Sequence, residues 1–179
     1  MRFVFIHSTG GNPDEAWYPW LKKILVSKGH AVVAPIFPTP DGQSLQNWLV
    51  AFEPHRKQLN SESVLIGRSI GVPFVLRILE RSPVKIKAAF LVAGFCSDLH
   101  LSQFAPLINS FIEAPFQWKQ IKNNCEEFFV YNADNDPFIP FVKAHELASN
   151  LGVEVKIIKG GEHLWFEEFP EILPDVEKL

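Results

Sequence analysis

Apolar residues recur along this chain in two rhythms that take turns. Short β-branched or aromatic runs lie at residues 2–7, 30–37, 63–67, 86–95, 127–131 and 153–158, each followed by turn-forming residues, and they predict six strands. Most of these runs are apolar on consecutive positions, the pattern of strands covered on both faces of a parallel sheet. Segments of helical period separate them. Trp17, Trp20, Leu21, Ile24 and Leu25 form one stripe, with Pro19 tolerated in a first turn; Leu45, Trp48, Leu49 and Phe52 form a second; Ile70, Phe74, Val75, Ile78 and Leu79 form a third. Residues 141–151 and 165–173 predict two further helices, after the fifth and sixth strands.

This alternation predicts an α/β fold, a three-layer sandwich with right-handed crossovers, formed as one domain over residues 1–179. The sheet is expected to be mainly parallel and six-stranded, in the order 2-1-3-4-5-6, which makes strands 1 and 3 neighbours and opens a crevice above their C-terminal ends. Residues 97–124 break the rhythm with helical pieces interrupted by Pro106 and Pro115, as expected of a lid or pocket wall.

The third predicted strand runs straight into a nucleophile motif. Val64-Leu65-Ile66-Gly67-Arg68-Ser69-Ile70-Gly71 is an apolar strand entering GxSxG, and a helical pattern follows at once. Flanking glycines permit the sharp strand-to-helix turn that lifts a serine hydroxyl above a sheet, and the helix start adds partial positive charge there. The Ile70 amide is placed to face a developing oxyanion, and Thr9, in the loop after the first strand, is the candidate second amide. Without this setting Ser69 would be an ordinary cap in a glycine-rich turn.

Such a serine needs a base and an orienting acid. Of six histidines, His163 alone follows a glycine pair at a strand end; His7, His30, His55, His100 and His145 lie elsewhere or lack a partner. Asp136, in Asp136-Pro137-Phe138-Ile139-Pro140, is the candidate acid, with Asp134 and Asp98 as alternatives. The order Ser, Asp, His along the chain is that of α/β-hydrolases. Trp165 and Phe95 are candidate pocket walls, although aromatics at helical spacing more often serve the core.

Composition narrows the alternatives. Hydrophobic residues make up 47% and charged residues 21% of 179, enough for a substantial core. A net charge of -3 and the lack of a Lys/Arg cluster argue against nucleic acid as a partner. Cys96 and Cys125 have neither metal-ligand nor disulfide spacing, so no metal or other cofactor is expected, and a reducing, cytoplasmic setting is. The apolar stretches at 3–6 and 88–96 are too short for a signal core or a membrane span, so no membrane association is expected.

Several stretches together resemble the small serine hydrolases that include retinoblastoma-binding protein nine and the YdeN-like proteins. They are Trp17-Tyr18-Pro19-Trp20-Leu21-Lys22-Lys23, Pro35-Ile36-Phe37-Pro38-Thr39-Pro40, Trp48-Leu49, the GxSxG, Trp118-Lys119-Gln120-Ile121-Lys122 and Asn135-Asp136-Pro137-Phe138-Ile139-Pro140. The resemblance spans nearly the whole chain. It implies a compact α/β-hydrolase core, hydrolysis of a small ester or amide, and a Ser69, Asp136 and His163 triad.

Two positions depart from that pattern. Arg68 stands where relatives commonly carry His, and Ser8 where a Gly often follows the first-strand His. Arg68 is expected either to favour an anionic substrate group or to pair with a surface carboxylate; Ser8 is expected to strain its loop. The nearest string to an LxCxE pocket-protein motif, Asn123-Asn124-Cys125-Glu126-Glu127, lacks the leucine, so that partner is not expected. The competing functional reading is a catalytically weak hydrolase scaffold that binds a protein or small ligand. A metalloenzyme is disfavoured because His145-Glu146-Leu147-Ala148-Ser149 lacks the second His of HExxH.

Overall fold

A computed structural model describes all of residues 1–179. Its single sheet contains β1 (Arg2–Ile6), β2 (Ala31–Val33), β3 (Ser63–Arg68), β4 (Ile86–Val92), β5 (Cys125–Ala133) and β6 (Val155–Ile158). The strands lie in the order β2-β1-β3-β4-β5-β6, and every neighbouring pair is parallel. Helices α1 (Tyr18–Ser27), α2 (Leu45–Arg56), α3 (Gly71–Glu80), α4 (Ala105–Ile112), α5 (Trp118–Asn123), α6 (Phe141–Leu151) and α7 (Leu173–Val176) complete the fold.

The consecutive apolar runs bury both faces of the sheet, as period-two geometry requires. Phe3, Phe5, Val64, Ile66, Ala88 and Phe90 face a core layer shared with α1 and the C-terminal segment. Val4, Ile6, Leu65, Ala89 and Leu91 face the opposite layer, built from α2 to α6. Helix α3 is buried on nine of its ten residues because it lies between the sheet and the helices α4 and α5. Gly152, in the left-handed conformation, ends α6 by returning its N–H to the Ala148 and Ser149 carbonyls.

Several strand boundaries differ from the expected ones by two residues or more. Strand β2 is only Ala31–Val33: Pro35 has no N–H for the ladder, and the Phe37 N–H goes instead to His7 Nε2 at 3.0 Å. Strand β4 stops at Val92, because Ala93 takes φ 48 and Gly94 packs on Val72, turning Phe95 out of the sheet. Strand β5 runs longer than its apolar run, while β6 starts two residues late. The helix expected over residues 165–173 is absent. Leu164 has φ 50 and Phe169 is held out of helical conformation before Pro170, leaving a 3-10 turn at Pro170–Ile172 followed by α7.

Candidate active site

Ser69 occupies a strained turn that only its glycine neighbours allow. Its φ is 54, its N–H donates to the Val92 carbonyl at 2.9 Å, and its own carbonyl accepts from Val72 N–H at 2.9 Å. A Cβ on Gly71 would sit 2.4 Å from the Ile6 carbonyl oxygen, and one on Gly67 2.6 Å from the Gly71 carbonyl oxygen. Helix α3 therefore starts pressed against β1, with the serine at the tip of the bend.

The loop after β5 grips the loop after β6 residue by residue. Asp134 accepts from Gly160 N–H at 2.8 Å, Asn135 from Glu162 N–H at 2.9 Å, and Asp136 faces His163 Nδ1 at 2.9 and 3.1 Å. The Asp136 carboxylate is fully buried and also accepts the Phe138 and Ile139 N–H groups, both at 2.9 Å. A carboxylate so placed only accepts, so Nδ1 carries the proton and Nε2 is left as the acceptor. Of the three candidate acids, Asp136 alone meets His163. Asp134 caps the loop, and Asp98 pairs with His100 at 3.0 Å.

Ser69 and His163 line one cavity of about 390 Å³ together with Thr9 and Ile70. The Ser69 hydroxyl makes no hydrogen bond to the imidazole, whose ring lies edge-on to Phe138 at 5.1 Å. The Thr9 and Ile70 amides donate to no other group of the chain. Beyond them the wall is apolar, with Phe95, Leu99, Phe104, Ile108, Phe138 and Ile139. The interrupting segment at 97–124 thus closes one side of the cavity. Trp165 also lines the cavity and is 55% exposed, so it is no core residue.

Arg68 lines the same cavity, as does Ser8, but it does not pair with a surface carboxylate. It is completely buried and makes no ion pair; Nη1 donates to Ser8 Oγ and Nη2 to the His163 carbonyl, both at 3.0 Å. Burial lowers its pKa from the usual guanidinium value, opposed by the nearby charges of Glu15 and Asp136. Trp165 stacks on it at 4.4 Å. Ser8 does not strain its loop either. The left-handed position there is Gly10, with φ 67, while Ser8 is buried between Arg68 and Glu15.

Gln43 is a further contributor that no local pattern marks. Its amide donates to Thr9 Oγ1 at 2.9 Å and to the Leu107 carbonyl at 2.8 Å, tying the Thr9 loop to α4. Such a contact spans 34 residues in one direction and 64 in the other, and no local period reports it. Cys96 and Cys125 are buried free thiols pushed up to about 12, which leaves neither as a thiolate near neutrality. No cluster of three or more His, Cys, Asp or Glu side chains is placed to hold a metal.

With this geometry in view, the sequence profile of the serine hydrolase family matches residues 3–179. The chain belongs to that family. It is 26% identical over 177 residues to YdeN of Bacillus subtilis (strain 168), covering 98% of this chain and 92% of that protein. It is also 26% identical over 181 residues to the serine hydrolase RBBP9 of Rattus norvegicus, covering 99% and 95%. The crystal structure of the B. subtilis ydeN gene product superposes with a TM-score of 0.91 at 23% identity, covering 99% of this chain and 97% of that one. A carboxylesterase of the thaumarchaeon Nitrososphaera gargenis shares the fold with a TM-score of 0.75 at 14% identity, covering 99% and 88%.

Proposed function

We propose that this serine hydrolase family member cleaves small esters or amides through an acyl-enzyme on Ser69. The observation that carries this reading is the buried Asp136–His163 pair facing a strained Ser69 across one apolar cavity. His163 Nε2 takes the Ser69 proton as the hydroxyl attacks the carbonyl carbon, and Asp136 holds the ring and balances the imidazolium that forms. The Thr9 and Ile70 amides stabilise the tetrahedral oxyanion. His163 then returns the proton to the leaving alcohol or amine, and water repeats the cycle to free the acid. Substrate approach completes the Ser69–His163 hydrogen bond, since catalytic contacts of this kind commonly tighten only in the substrate complex. The apolar wall from Phe95 to Phe138 fits an uncharged acyl group. No helix is long and apolar enough to cross a membrane, and the two free thiols support a reducing, cytoplasmic setting.

A fluorophosphonate probe followed by mass spectrometry tests this directly. Ser69 is expected to carry the adduct, labelling is expected to disappear in His163→Ala, and Ser69→Ala is expected to lose hydrolysis of p-nitrophenyl acetate while keeping its fold. Wild-type protein that is folded yet unlabelled would support the binding-scaffold alternative.

A further inference from the structure

A chain of polar contacts runs beneath the cavity and joins three segments that the reaction needs at fixed spacing. Glu15 Oε1 accepts from Ser8 Oγ at 3.4 Å, Ser8 Oγ accepts from Arg68 Nη1 at 3.0 Å, and Arg68 Nη2 donates to the His163 carbonyl at 3.0 Å. The direction of the chain is forced. A guanidinium has only donors, so Ser8 accepts from Arg68 and spends its single proton on Glu15. Gly11 admits Glu15 to this position: a Cβ there would lie 2.2 Å from Glu15 Oε1.

Burying a guanidinium without a carboxylate in contact is costly, and an apolar side chain of similar length would fill the space more cheaply. What the guanidinium supplies is a planar fork. Its two ends reach the loop after β1 and the loop after β6 from the residue next to Ser69. We propose that Arg68 is a positioning residue that clamps the His163 loop and the Ser8–Thr9 loop to the serine turn, keeping base, nucleophile and oxyanion donors in register. This rests on the hydrolase reading above. Arg68 acts through Ser8 and the His163 backbone.

The test follows p-nitrophenyl acetate hydrolysis and fluorophosphonate labelling in wild type, Arg68→Gln, Arg68→Lys, Ser8→Ala and the Arg68→Gln/Ser8→Ala double variant, with urea unfolding to establish the folded fraction. Arg68→Gln is expected to lower kcat about 10- to 100-fold with KM for this short acyl group changing less than about threefold, because misplacement of about 1 Å slows chemistry without removing the acyl-binding wall. Arg68→Lys, which keeps the charge and loses the fork, is expected to recover only part of that loss. The double variant is expected to be no slower than Arg68→Gln, since both changes cut one chain. A folded Arg68→Gln protein that turns over and labels at wild-type rates overturns the proposal. If that variant does not fold, Arg68→Lys decides: an unchanged kcat overturns it, a lowered kcat on a folded protein supports it. Wild type that fails to label overturns the hydrolase reading, and the clamp with it.

Discussion

His7 ends β1 with both ring nitrogens engaged: Nδ1 donates to the Ser8 carbonyl at 2.9 Å and Nε2 accepts the Phe37 N–H at 3.0 Å. Only the neutral ring can do both, since a proton on Nε2 would point at another donor. Burial pushes its pKa below the ordinary 6.5, outweighing the favourable Ser8 carbonyl contact. The unfolded chain therefore binds a proton near 6.5 that the native chain refuses until lower pH. In that window the unfolded state holds more protons, so stability rises with pH and is lost as pH falls below about 6.5. Urea unfolding at about pH 7.5 and about pH 5.5 is expected to show this loss, up to about 1.4 kcal/mol per pH unit from this one group, and His7→Gln is expected to flatten the slope. An identical slope in the variant would show that His7 does not govern it. The same ring packs against Phe37 and Trp48 at 5.3 and 5.6 Å, so the titration reports on the loop that leads to Thr9.

At the scale of elements, Arg77 does for the interrupting segment what a hydrophobic stripe does for an ordinary helix. It projects from α3, donates to the Phe111 carbonyl at 2.9 Å and to the Ala114 carbonyl, pairs with Glu80 at 3.0 Å, and lies 3.8 Å over the Phe116 ring. These carbonyls lie at and just past the end of α4, where helices leave acceptors unpaired and favour a cation. Arg77→Met is expected to cost about 2 kcal/mol, because it strands the Phe111 and Ala114 carbonyls and leaves Glu80 only the Arg81 guanidinium and the Gln117 N–H, and to expose residues 97–124 to limited proteolysis. A wild-type unfolding midpoint and digestion pattern would contradict this. The contrast shows what was legible beforehand. The existence of the strands, the serine turn and helices α1, α2, α3 and α6 follow from local period and from glycine spacing, which are properties of neighbouring residues, while the strand order follows from the doubly wound pattern that strand-helix alternation implies. Arg68, Arg77 and Gln43 act through polar contacts to groups far away along the chain, which leave no period to read. The false helix at 165–173 had acceptable spacing but carried Pro170, whose effect on the residue before it outweighed the stripe.

At the scale of the whole molecule, the cavity exists because the sheet order sets the ends of β1 and β3 side by side while residues 97–124 fold back over the other side. One wall is deep and apolar, supplied by Phe95 and the segment containing α4, and is anchored from below through Arg77. The rim also carries an exposed indole. Trp165 holds its place largely by stacking on the Arg68 guanidinium, which is itself fixed at both ends. Removing the indole should therefore widen the mouth without disturbing the core, whereas trimming Phe95, which is 1% exposed, should open a void and destabilise the fold. Trp165→Ala is expected to change unfolding free energy by less than about 1 kcal/mol, in keeping with its exposure. Across p-nitrophenyl esters from acetate to octanoate it is expected to raise KM for the longer acyl chains and leave acetate turnover near wild type, because only a longer chain reaches past Phe138 to that rim. An unchanged chain-length profile together with a marked loss of stability would make Trp165 a packing residue. The acyl group would then be bounded by Phe95, the segment at 97–124, Phe138 and Ile139.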